Sequence, residues 1–167
     1  VSVIGIDPGQ VHTGCVELFL EPLVREIDVS YRINVSYRII RGTSVQDVRT
    51  FVCARPVTAL FIEDYNPSNY AREDKKMSEA LGRLKAEFPP SDDPIVRYID
   101  NAGVNTLIPV EVQKLFGVHK FPVSTHHNDL NSAGKIALLG MLKDNGGVLR
   151  PLVSQVVQDA LDGAPWA

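Results

Sequence analysis

Val3-Ile4-Gly5-Ile6-Asp7-Pro8-Gly9-Gln10-Val11-His12-Thr13-Gly14 (VIGIDPGQVHTG) opens the 167-residue chain and sets its architecture. Residues 2–7 read as a buried strand that ends on a carboxylate and then turns sharply through Pro8-Gly9. A second strand, 14–20 (GCVELFL), follows at once and predicts an antiparallel pair. An ionised carboxylate ending an apolar strand is costly unless it is paired or bound to a metal. Asp7 therefore either shapes the turn or is held at the strand end because some chemistry needs it there.

Outward from this stretch the pattern stays extended over 21–41 and contains an echo, DVSYRI at 28–33 and NVSYRI at 34–39. An even period presents the same side chains to the same face, which predicts a long or hairpin-paired antiparallel strand. Thr43-Ser44 offers a helix N-cap, Val45, Val48, Phe51 and Val52 follow at helical spacing, and Arg55-Pro56 stops the helix. Residues 58–64 (TALFIED) form another buried strand. A loop containing Pro67 leads to a helix whose stripe is Met77, Ala80, Leu81, Leu84 and Phe88. Residues 89–94 read as a turn and 95–100 as a strand. A short helix spans 109–116 between Pro109 and Gly117, followed by a polar loop over 118–130. A helix is expected over 132–145, broken by Gly146-Gly147, with a last helix starting at Pro151. The order predicts one α/β domain over 1–167. Its mixed five-stranded sheet has three antiparallel strands first and is flanked by helices.

The composition, 44% hydrophobic and 22% charged, is that of a globular protein, with no apolar run long enough to span a bilayer. The first residues lack a secretory pattern, and the absent initiator Met suggests a processed or trimmed start. Cys15 and Cys53 have no CxxC or Cys/His metal spacing and read as free thiols in a reducing, cytoplasmic setting. Seventeen Lys and Arg against twenty Asp and Glu give a net charge of −3. That sum does not exclude a nucleic-acid partner, because several carboxylates holding cations would reverse the local balance.

Glu63 ends the fourth strand as Asp7 ends the first. Asp159 and Asp162 lie three apart, on one face of the final helix. Alone, that helix is an ordinary amphipathic one. As a set, the four acids suit two hard cations, Mg²⁺ or Mn²⁺, which take oxygen ligands. Two such ions about 4 Å apart stabilise the attacking and leaving oxygens of a phosphodiester displacement. Asp64 falls on the opposite face of its strand from Glu63. His126-His127-Asn128-Asp129 resembles a metal cluster only superficially, since adjacent histidines do not converge on one ion. It reads as a polar loop entering a helix. Asp92, Asp93 and Asp100 read as solvated turn acids, and Arg72, Lys75 and Lys76 as a solvated surface or a DNA-contacting edge beside Glu63.

GIDPG with Thr13-Gly14, then Phe61-Ile62-Glu63, then Asp159-Ala160-Leu161-Asp162, resembles the RuvC-like Holliday-junction resolvases of the ribonuclease H-like superfamily. Pro109-Val110-Glu111-Val112-Gln113-Lys114 resembles their short P-x-x-V-K helix, and Asn131-Ser132-Ala133-Gly134-Lys135 the basic start of their next helix. The resemblance spans the chain in order. It implies a ribonuclease H-like fold, a homodimer, two Mg²⁺ or Mn²⁺ ions per site, and paired symmetric nicking of four-way DNA junctions. It further implies that Asp7, Glu63, Asp159 and Asp162 are catalytic metal ligands, and that Lys135 and Lys114 neutralise phosphate. The aromatic that such proteins place after the strand-four acid falls here to Tyr65 or Tyr70, with Arg72 close by. The long early strands and the stop at Gly163 and Pro165 suggest a compact viral-type member, acting in the host cytoplasm, or a trimmed chain.

Three rivals frame this reading. An actin-like ATPase needs a second domain and a second Gly-rich phosphate loop, which this chain lacks, so no nucleotide cofactor is expected. An RNA-processing or RNA–DNA hybrid nuclease would use the same four acids. A catalytically silent junction-binding module would have lost one of them.

Overall fold

The computed structural model describes residues 1–24, 26, 29–64 and 74–163, with Asp74 described by its backbone alone. Twelve elements follow one another, numbered here in chain order: β1 (Ser2–Asp7), β2 (His12–Val24), β3 (Val29–Arg41), α1 (Val45–Val52), β4 (Ala59–Glu63), α2 (Asp74–Glu87), β5 (Ser91–Asp92), β6 (Ile95–Ile99), α3 (Val104–Leu107), α4 (Val110–Leu115), α5 (His127–Leu142) and α6 (Leu149–Leu161). The strands form one sheet in the order β3-β2-β1-β4-β6-β5. β1–β2 and β2–β3 pair antiparallel, whereas β1–β4 and β4–β6 pair parallel. The mixed α/β sheet with an antiparallel first half is as expected. It has six strands and not five, because Ser91 and Asp92, read as part of a turn, pair with Val96 and Ile95 at the sheet edge.

β1 alternates between two apolar layers. Ile4 and Ile6 join Cys15, Ile40, Leu60, Ile62 and Val96 against Val48 and Val52 of α1 and Leu81 and Leu84 of α2. Val3 joins Val16, Leu18, Leu20, Ala59, Phe61 and Ile99 against α5 and α6. The echo of β3 has a purpose in this second layer. Tyr31 and Tyr37, and Ile33 and Ile39, sit six apart, and all four pack against the α5-side core. The expected extended stretch over 21–41 is a hairpin in which Val24 pairs with Val29 and His12 with Arg41.

α5 is the central helix of that layer and contacts β1, β2 and β4. Its close approach requires glycine in β1, because a Cβ on Gly5 would lie 2.7 Å from the Ala137 nitrogen and 2.9 Å from its Cβ. The helix starts at His127, five residues before the expected 132, and ends at Leu142. The polar run at its start concealed this. His126 takes the left-handed conformation (φ 65°) as N-cap, and no side-chain cap bond marks the boundary. α6 likewise starts at Leu149, with Pro151 inside the first turn where its missing N–H is harmless.

Candidate active site

Hydrogen bonds of two threonines shape the β1–β2 turn. Thr13 is buried, accepts from the Gly9 N–H at 3.3 Å and donates to the Gly42 carbonyl at 2.7 Å. Thr43 donates to the Gly9 carbonyl at 2.7 Å. The turn is therefore held by threonines and backbone, and Asp7 is not needed to cap it. Its carboxyl points to the α5 side of the sheet, the side of Val3 and Gly5, at the end where β1 and β4 both finish.

There Asp7 hydrogen-bonds the Glu63 carboxyl. Burial pushes the Asp7 carboxyl up to about 9, and the Glu63 hydrogen bond, the Glu63 charge and the Asp129 charge act in the same direction. Lys135 opposes them. Burial and the neighbouring negative charge thus keep the Asp7 carboxyl protonated at neutral pH in the absence of a cation. Asp129 reaches this neighbourhood because Gly14, the partner of Asp7 in the β1–β2 register, leaves room for the first turn of α5. A Cβ on Gly14 would lie 2.7 Å from the Asp129 carbonyl carbon. His126 Nδ1 sits 3.2 Å from Asp129 Oδ2, and the His126 ring lies against that of His12 with centroids 3.9 Å apart.

Beyond Glu63 lies a small polar pocket of about 160 Å³, lined by Glu63, Asn101, Val104, Asn105, Ser132, Lys135 and Ile136. Asn101 Nδ2 donates to Glu63 Oε1 at 2.5 Å, and Lys135 Nζ donates to Asn105 Oδ1 at 3.2 Å. Lys135 is the ninth residue of α5, two turns in, and not at a helix start as the sequence suggested. Its charge acts on Asp7 as a point charge without help from the helix dipole.

Among the described residues no hydrogen bond links Asp159 or Asp162 to Asp7 or Glu63. Asp159 and Asp162 lie near the C-terminal end of α6, a helix that packs on α5, α4 and β3. Asp159 Oδ1 accepts from Gln155 at 2.6 Å and Asp162 Oδ1 from Gln158 at 3.0 Å, each one turn back along the same helix. Neither is among the groups acting on Asp7. The i, i+3 spacing put both acids on one helix face, where Asp162 is exposed but Asp159 is half-buried, its Oδ2 buried and without a hydrogen-bond partner among the described residues. Asp129, read from the sequence as part of a polar loop, is the acid whose charge acts on Asp7 beside that of Glu63. The signal that could have found it is the small-residue series Ala133, Ala137, Gly140, which marks α5 as the helix lying closest on β1 and β4.

Lys114 is exposed on α4, and Asp64 turns to the α2 side, pairing with Lys85 at 3.2 Å. Tyr65, Tyr70 and Arg72 lie outside the described residues. Among the described residues no group of three or more His, Cys, Asp or Glu side chains converges closely enough to hold an ion. The chemistry of the donor set nonetheless fits a hard divalent cation. A protonated Asp7 carboxyl hydrogen-bonded to Glu63, with a third acid near, offers the oxygen ligands that such a cation takes on displacing the proton.

The architecture defines an α/β protein with the ribonuclease H-like arrangement of a mixed sheet, antiparallel in its first three strands, carrying acids at the ends of its first and fourth. Among solved structures, Thermus thermophilus RuvC in complex with Holliday junction substrate is similar at a TM-score of 0.51 and 17% identity, over 82% of this chain and 90% of that one. A second Thermus thermophilus RuvC structure matches at a TM-score of 0.50 and 18% identity, over 82% of this chain and 91% of that one. The fold is thus RuvC-like. No family model matches the sequence, and no curated protein matches it.

Proposed function

We propose that the chain is a metal-dependent endonuclease that resolves four-way DNA junctions by paired nicks. The observation that carries this reading is the Asp7–Glu63 carboxyl pair at the adjacent ends of β1 and β4 of a RuvC-like fold. Asp7 and Glu63 would hold Mg²⁺ or Mn²⁺ with Asp129 as third acid, in place of the Asp159–Asp162 pair. The cation would supply Lewis-acid stabilisation of the phosphoryl oxygens. Lys135 offsets negative charge beside the pair, as a phosphate-neutralising group must. Paired nicks on a nearly two-fold junction need two sites about a matching axis, so the working unit would be a homodimer.

Cleavage of a labelled four-way junction, a linear duplex and an RNA–DNA hybrid in Mg²⁺ tests the reading. Symmetric nicking of the junction alone is expected. Preferential cleavage of the hybrid would replace it by the hybrid-nuclease reading. Junction binding without any nicking would favour the silent binding module, a reading that the unconverged third acid supports. Light scattering of the protein–junction complex should give two chains per junction.

A further inference from the structure

Glu63 and Lys135 line the same small pocket with opposite charges, yet among the described residues no ion pair joins them. Each is held instead by an asparagine of the segment after β6. Asn101 donates its Nδ2 to the Glu63 carboxylate at 2.5 Å, and Asn105 offers its Oδ1 to the Lys135 ammonium at 3.2 Å. An amide side chain has both a donor and an acceptor end, so one residue type can serve either charge.

The segment that carries the two asparagines is itself fixed. Asp100 Oδ1 accepts from the Ala102 N–H at 2.8 Å, and Lys143 Nζ reaches the Asp100 carbonyl at 3.4 Å. Gly103 takes the left-handed conformation (φ 73°) that turns the chain into α3, which carries Asn105 into the same pocket lining as Asn101.

We infer that Asn101 and Asn105 are positioning residues that hold Glu63 and Lys135 apart, keeping the pocket between them open for a phosphoryl group of the bound nucleic acid. Without them the acid and the base would close on each other, which would remove the cation that meets phosphate and the carboxylate that meets metal. Ser132 adds a hydroxyl to the same lining. The inference rests on the nuclease reading for its ligand, but its geometric half stands independently of substrate.

The test is a double-mutant comparison. Asn105→Leu keeps the shape and removes the acceptor; Asn105 is exposed, so the fold survives, and Asn105→Ala provides a second variant. Binding of a four-way DNA junction in EDTA should weaken about tenfold in Asn105→Leu, and the salt dependence should lose about 0.9 in slope, one phosphate contact. In a Glu63→Gln background the same substitution should cost little, because no carboxylate remains to capture Lys135. A crystal structure of the metal-free Asn105→Leu protein should place Lys135 Nζ within about 4 Å of the Glu63 carboxylate. Equal losses in both backgrounds, or a Lys135 that stays clear of Glu63 in that crystal, would overturn the inference. If the unsubstituted protein does not bind the junction, the substrate reading alone fails, and the crystallographic distance decides the positioning role.

Discussion

Asp7 should make the metal-free protein lose stability as pH rises through neutrality, and Asp7→Asn should remove that loss. Burial and the Glu63 contact raise the folded carboxyl from 3.8 to about 9. Between those values the folded chain keeps a proton that the unfolded chain releases, so stability falls with rising pH and is fully present only below the unfolded pKa. One proton corresponds to about 1.4 kcal/mol per pH unit, hence at most about 2.7 kcal/mol from pH 6 to pH 8. Partial solvent access at the strand end lowers this to about 1–2.5 kcal/mol. For a domain of this size that is a fall in Tm of about 3–8 °C. Scanning calorimetry in EDTA at pH 6 and pH 8, on the wild-type chain and on Asp7→Asn, isolates the contribution because all other titrating groups are common to both. A saturating divalent cation should abolish the wild-type slope by binding the ionised pair. If Tm changes equally with pH in both proteins, the account of a protonated Asp7 carboxyl is refuted.

Asp7→Asn should also abolish nicking of a four-way junction while leaving its binding intact or tighter, since the amide keeps the shape but removes the charge that holds a cation; gel assays of both properties check this. Mg²⁺ or Mn²⁺ should support cleavage and Ca²⁺ should support binding only, because its looser shell spoils the in-line geometry; cleavage persisting in EDTA would count against it. Lys135→Ala should lower junction affinity and flatten its salt dependence by about one contact, read from anisotropy titrations, whereas Asp162→Ala should leave that slope unchanged. Gly5→Ala should destabilise the fold by about 1–3 kcal/mol in denaturant titrations, because the added methyl must push α5 off the sheet.

The sheet was legible because its signals are local. The strand-to-turn stretch around Asp7, the apolar run ending at Glu63 and the six-residue echo each declare their pairing or their face within a few residues. Asp7 and Glu63 are readable for the same reason, since both are acids ending apolar strands. Which helix supplies the third acid is a tertiary question. Asp159 and Asp162 have the tidier spacing, but neither is among the groups acting on Asp7. Asp129 sits in a run of polar residues that disguised the first turn of α5, and the close approach of α5 to Gly5 and Gly14 brings it near Asp7. Asn101 and Asn105 were invisible for a further reason. Their importance lies in which charges they touch, and neither stands in a recognisable pattern.

Calorimetric titration of Mn²⁺ into the metal-free wild-type chain, Asp7→Asn, Asp129→Asn and Asp159→Asn tests the central assignment most directly. Binding should be strong in the wild type, lost in Asp7→Asn, severely weakened in Asp129→Asn and unchanged in Asp159→Asn. Loss of binding in Asp159→Asn with retention in Asp129→Asn would contradict the account and return the site to the final helix.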